Sequence, residues 1–107
     1  MRLYKLFFSA VLVITATSVG SQTQEPHNYK PPQGYVPDAA TAIKIAVAVW
    51  EPIYGAEKIA SEKPYVAVLD NGVWRVRGTL PKNWLGGVAE AEVSKDDAKV
   101  LRVSHGK

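Results

Sequence analysis

The chain of 107 residues contains no cysteine. That excludes disulfide staples, a thiolate nucleophile, thiolate-bound zinc and a lipid attached through cysteine. Histidine is scarce: His27 and His105 stand at opposite ends, with no HxxxH spacing. A metal centre needs clustered His, Cys or carboxylate ligands, so no metal is expected, and no cofactor either. There is no GxSxG. "WLGGV", residues 84–88, has paired glycines but lacks the lysine and the following helix of a phosphate-cradling loop. An excess of one charge is also missing, with thirteen basic residues against ten acidic ones and no basic cluster. A nucleic-acid partner, which needs basic residues gathered on one face, is therefore not expected.

Long apolar runs are absent but for one. Arg2 and Lys5 precede "LFFSAVLVITA", residues 6–16, and small residues follow in "TSVGSQTQ". A basic start, a short apolar run and a small-residue zone describe a secretory signal peptide over residues 1–21, with cleavage after Ser21 and Ser18 or Gly20 as nearby options. The alternative is an uncleaved anchor, but the run falls short of the ~20 apolar residues that span a bilayer. No stable membrane anchor is then expected after cleavage, and the processed protein is expected outside the cytoplasm. Cleavage removes Arg2 and Lys5 and leaves eleven bases against ten acids, a net charge of +1.

Residues 22–34, "QTQEPHNYKPPQG", form a polar leader in which Pro31-Pro32 forbids helix. It reads as a tether or as an arm laid over the domain that follows, residues 35–107. Without disulfides, that domain must hold by packing, with Trp50, Trp74 and Trp84 as its largest side chains, each worth about 2–3 kcal/mol when buried. Residues 38–50, "DAATAIKIAVAVW", have helical period. Asp38 suits the N-cap, Ala39, Ile43, Ala46, Val47 and Trp50 share a face, and Ile45 and Val49 widen it. Pro52 stops the helix or starts a further turn that Gly55 ends, and residues 56–62 form a short connector open to helix.

Strands follow. Residues 65–69 are apolar, Asn71-Gly72 is a type I′ hairpin signal, and residues 73–79 return antiparallel. Residues 81–87 form a loop, residues 88–93 alternate, residues 94–98 turn, and residues 99–104 make a last strand. The expectation is an α+β domain: one helix packed on an antiparallel meander of about four strands. Alternation places Trp74, Val76, Ala89, Ala91, Leu101 and Val103 on the helix side, and Arg75, Arg77, Glu90, Glu92 and Arg102 on the other. Arginines beside glutamates on adjacent strands serve the sheet itself, at ~0.2–1 kcal/mol per pair.

That charge pattern leaves the loop "LPKNWLGG" without a structural reason, since Trp84 and Leu85 stand where polar residues would do. Trp84, with Lys82, Arg75 and Arg77 as charged neighbours, forms the candidate binding set, because aromatics and arginines dominate hot spots at interfaces. No catalytic residue is assigned. Glu90 and Glu92 share a strand face but read as salt-pair partners, Asp96-Asp97 lies in a turn, and Ser104 and His105 point to opposite faces. His105 and Lys107 read as an exposed tail. The chain is not expected to be an enzyme.

Taken together, "AIKIAVAVWEPIYG", "KPYVAVLDNGVWRVRGTLP" and "GGVAEAEVSKDDAKVLRVSHGK" resemble a family of small bacterial immunity proteins with a nuclear transport factor 2-like fold. The shared pattern falls on residues 42–46, Tyr54-Gly55, residues 63–65, residues 72–80, Gly86-Gly87 and residues 105–107. It departs at Ala98, where the family more often carries glycine in the last turn. The resemblance implies a bent sheet wrapped around helices, a nuclear transport factor 2-like or cystatin-like cone. It also implies a partner, a cognate protein toxin that the protein binds and neutralises. With export, it implies a toxin acting in the periplasm. A second reading is a small-molecule-binding or enzymatic module using the cone's interior, which needs a deep apolar pocket. A third is an exported protein that stabilises an envelope complex.

Overall fold

The computed structural model describes residues 27–106. The signal-peptide reading, the start of the leader and Lys107 lie outside those residues. Helix α1, Ala39–Tyr54, starts where the sequence places its cap: Asp38 is extended, and its Oδ1 accepts from the Thr41 N–H at 2.9 Å and the Thr41 hydroxyl at 2.7 Å. Ala42, Ala46 and Trp50, at i, i+4 and i+8, are wholly buried, with Ala39, Ile43, Ile45 and Val47 half-buried beside them. Pro52 sits inside α1, which continues a turn further until Gly55, at φ 99°, donates to the Glu51 carbonyl at 2.8 Å. The connector is helical as α2, Ala56–Ala60, and buries Ile59.

Strands β1 (Val66–Asp70), β2 (Val73–Arg77), β3 (Ala89–Ser94) and β4 (Val100–His105) form one antiparallel sheet in the order β1-β2-β3-β4. This is the expected α+β arrangement, a helix followed by an antiparallel meander of four strands. Asn71 and Gly72, at φ 51° and 76°, make the expected hairpin. Two registers set the helix-facing side: Leu69, Trp74, Val93 and Val100 in one row, and Ala67, Val76, Ala91 and Val103 in the next. Alanines 42 and 46 on α1 and alanines 89 and 91 on β3 join one core, and their small side chains let helix and sheet lie close.

Two expectations about the apolar side need correction. Leu101 does not face the helix. A bulge opposite Glu92 and Val93 pairs Glu92 with Arg102 and Val93 with Val100, so Leu101 is the extra residue and remains 47% exposed. Val100 takes the inner register in its place. Trp84 also contributes nothing to the core, whereas Trp50 and Trp74 are buried.

The buried aromatics keep their polar ends satisfied. Trp50 Nε1 donates to the Glu90 carbonyl at 3.1 Å, Trp74 Nε1 to the Val36 carbonyl at 2.8 Å and the Tyr65 hydroxyl to the Ile59 carbonyl at 2.8 Å. Burial, aided by the charges of Glu51 and Glu62, pushes the Tyr65 hydroxyl above its ordinary pKa and keeps it a donor. The leader is attached from Lys30 onward. Lys30 pairs with Asp96 at 2.7 Å, Tyr35 and Val36 donate N–H bonds of 3.0 Å to the Asp96 and Lys95 carbonyls, and the Lys95 ammonium donates to the Gln33 carbonyl. Val36 is wholly buried.

Candidate functional site

The side of the sheet away from α1 carries the charges. Across it run Val68, Arg75, Glu92 and Arg102 in one register and Val66, Arg77, Glu90 and Ser104 in the next. Arg75 lies between Asp70 at 3.6 Å and Glu92 at 3.8 Å, and Arg77 lies 3.9 Å from Glu90. These are long contacts, and both arginine side chains stay 62% exposed. Exposed pairs of this kind contribute about 0–1 kcal/mol and hold their partners loosely. The guanidinium groups are thus neutralised locally yet reachable. Val66 and Val68 add exposed apolar surface on the same side.

The loop after β2 begins directly beyond Arg77. Trp84 N–H donates to the Pro81 carbonyl at 3.0 Å, closing a turn in which Asn83 has φ 66°. The loop therefore has a folded tip, and that tip presents its large side chains outward: Trp84 is 56% and Leu85 96% exposed. Lys82 is exposed beside them. Where the loop meets the sheet, a cavity of about 480 Å³ opens, lined by Val66, Arg77, Thr79, Leu80, Val88 and Glu90 and by loop glycines. By register Arg77, Glu90 and Val66 belong to the outer face, so the cavity lies on that face and not between sheet and helix. Between sheet and helix the space is filled by Trp50, Ile59, Val36, Val76 and Val93.

The four candidate residues are thus placed in two pairs. Arg75 and Arg77 share the outer face two residues apart on β2, while Lys82 and Trp84 stand on the loop that follows. Leu85 was not among the candidates, although its position next to Trp84 in a loop is the same signal.

A second cluster was not expected at all. Glu62, two residues beyond α2, is 2% exposed. Its Oε1 accepts from the Ala89 N–H at 2.7 Å, and its Oε2 lies 2.7 Å from His105 Nε2. His105 Nδ1 lies 2.8 Å from the Gly106 carbonyl, and the ring faces Tyr54 with centroids 5.1 Å apart. The reading of His105 as an exposed tail is therefore wrong: β4 carries it onto the helix side, where its side chain is only 14% exposed. The Gly106 carbonyl can only accept, so its contact assigns Nδ1 as the donor, and the contact between Nε2 and Glu62 needs one donor and one acceptor. All these donors and acceptors are spent on the protein itself. Among the described residues no group of His, Asp and Glu has a metal-binding arrangement, and no helix is long and apolar enough to cross a membrane.

No solved structure matches the chain. Among curated proteins, it is 33% identical over 73 residues to the uncharacterized protein YhhH of Escherichia coli (strain K12), an alignment covering 67% of this chain and 58% of that one. The chain thus spans little more than half the length of this relative. The description NTF2 fold immunity protein belongs to a family whose model matches residues 41–107, from the first turn of α1 through all four strands, and the chain is a member of that family.

Proposed function

We propose that the protein is an exported immunity protein that binds a cognate antibacterial toxin acting in the periplasm and neutralises it by occlusion, without chemistry of its own. Membership of the family supports toxin neutralisation in general. The observation that carries the binding mode is the exposed pair Trp84 and Leu85 beside an outer sheet face with reachable arginines. Large apolar side chains held outward by a closed turn suit a docking contact. The packed space between helix and sheet speaks against a small-molecule site there, and the internally satisfied Glu62–His105 pair speaks against its use as an acid–base couple.

Compartment follows from the apolar N-terminal run, because an inhibitor must meet its toxin where the toxin acts. Recovery of the native protein from the host cytoplasm alone would remove the periplasmic part of the reading. The binding mode is tested by titrating the polypeptide encoded in the neighbouring reading frame with the full chain and with Trp84→Ala. Loss of a hot-spot aromatic costs about 2 kcal/mol or more, or roughly thirtyfold in Kd. An unchanged Kd takes Trp84 out of the contact.

A further inference from the structure

Glu62 touches both stems of the loop that carries Trp84. On the entry side its main-chain carbonyl accepts from the Thr79 N–H at 2.7 Å, and a Cβ on Gly78 would lie 2.5 Å from Glu62 Oε1 and 2.8 Å from Glu62 Cβ. On the exit side its Oε1 holds the Ala89 N–H. Its Oε2 holds His105, and the next residue, Gly106, closes on the exit stem. Gly106 N–H donates to the Val88 carbonyl at 3.2 Å, and a Cβ on Gly106 would lie 2.9 Å from Gly87 Cα. The two stems also meet each other, Gly78 N–H donating to the Ala89 carbonyl at 2.9 Å. Glu62 thereby ties together four segments: its main-chain carbonyl holds the end of β2, its buried carboxylate holds the start of β3 and the end of β4, and it sits itself just beyond α2.

We infer that Glu62 and His105 form a clamp that sets the pose of the 81–87 loop, and so act as positioning residues for the docking surface without touching the partner. This rests on the reading of Trp84 as part of that surface. Preorganising a loop removes an ordering cost from association, and releasing it restores that cost. The bonds also specify what the clamp needs. Between Nε2 and Oε2 the contact needs one donor and one acceptor, which an uncharged pair supplies as well as an ion pair does. A glutamine at position 62 meets the same partners: its oxygen accepts from Ala89 N–H, and its amide donates to Nε2 of a neutral His105 whose Nδ1–H stays on the Gly106 carbonyl.

The test compares the full chain with Glu62→Gln, Glu62→Ala and His105→Ala. Backbone 15N order parameters are measured in the free protein, and Kd for the polypeptide of the neighbouring reading frame is measured in parallel. The expected result is that the Ala variants lower the order parameters of residues 81–87 while β2 and β3 keep theirs, and that Kd rises on the order of tenfold. Glu62→Gln is expected to stay near the parent in both. Where Glu62→Ala does not fold, His105→Ala, which leaves the Ala89 bond in place, gives the reading. Unchanged order parameters in residues 81–87 of a folded Ala variant overturn the clamp, as does a Glu62→Gln variant as loose as Glu62→Ala. Order parameters that fall while Kd holds also overturn the positioning role. If Trp84→Ala itself binds like the parent, the surface reading is what fails, and the order parameters still decide whether the clamp exists.

Discussion

Ala98 holds a φ of 65° in the turn between β3 and β4, where its N–H reaches back to the Ser94 carbonyl at 3.0 Å. A left-handed conformation costs a residue with a Cβ about 1–2 kcal/mol, and glycine escapes it. Glycine at 98 also adds unfolded-state entropy worth about 0.4–1 kcal/mol, which offsets part of the gain. Ala98→Gly should therefore raise stability by about 0.5–1 kcal/mol, read as a higher midpoint in urea unfolding. An equal or lower midpoint would mean that the half-buried Ala98 methyl, packed against the core, outweighs the strain. The bulge gives a second residue-scale contrast. Leu101→Thr removes an exposed side chain and should change stability by no more than about 0.5 kcal/mol. Val93→Ala, at a wholly buried position across the sheet, should cost about 2 kcal/mol in the same measurement.

At the scale of elements, the two signals that rest on neighbouring residues were both legible. Asp38 followed by a 3.6-residue apolar period gave α1, and Asn71-Gly72 gave the β1–β2 hairpin. Three features were not legible, because each depends on a partner distant in the chain. The bulge exists only in the register between β3 and β4. The leader was open to being an arm, but the turn on which residues 30–36 lie, some sixty residues later, was not marked. His105 meets Glu62 across 43 positions, and nothing in "SEKPY" marks Glu62 as buried. The candidate surface was legible through its misplaced apolar residues, Trp84 and Leu85, whereas the cavity beside Arg77 required the fold. The α1 cap also has a pH signature. Hydrogen bonds from the Thr41 hydroxyl and N–H hold the Asp38 carboxyl below its ordinary range, and the Lys99 N–H does the same for Asp97. A carboxyl with a depressed folded pKa contributes stability that is present above its unfolded value, about 3.9, and fades as pH falls through the lower folded value. Stability should thus decline below about pH 4, and less steeply in Asp38→Asn, which keeps a cap oxygen without the charge. Urea midpoints collected from pH 2 to 7 check this. An acid limb identical in the parent and in Asp38→Asn would place the titrating groups elsewhere.

The whole molecule divides its labour between two sides of one sheet. The helix side is packed: two buried tryptophans and small alanines leave it to stability. The outer side is weakly held, with ion pairs stretched to 3.6–3.9 Å and an aromatic loop at one end. Substitutions on the two sides should therefore separate cleanly. Ala46→Leu intrudes on a fully buried contact between α1 and the sheet and should cost about 1–3 kcal/mol of stability, leaving Kd unchanged in whatever fraction folds. Arg75→Ala and Arg77→Ala forfeit only loose surface pairs, so stability should move by less than about 1 kcal/mol each. Their effect on association should be kinetic, because exposed charges steer encounter more than they hold a complex together. With the neighbouring-frame polypeptide as partner, the association rate of the parent should change several-fold between about 0.05 and 0.5 M salt, as screening shortens the reach of these charges. The double variant Arg75→Ala, Arg77→Ala should flatten that dependence while leaving the dissociation rate nearly as it was. A salt dependence that survives the removal of both arginines would move the electrostatic contact off β2 and onto Lys82, Arg102 or the leader.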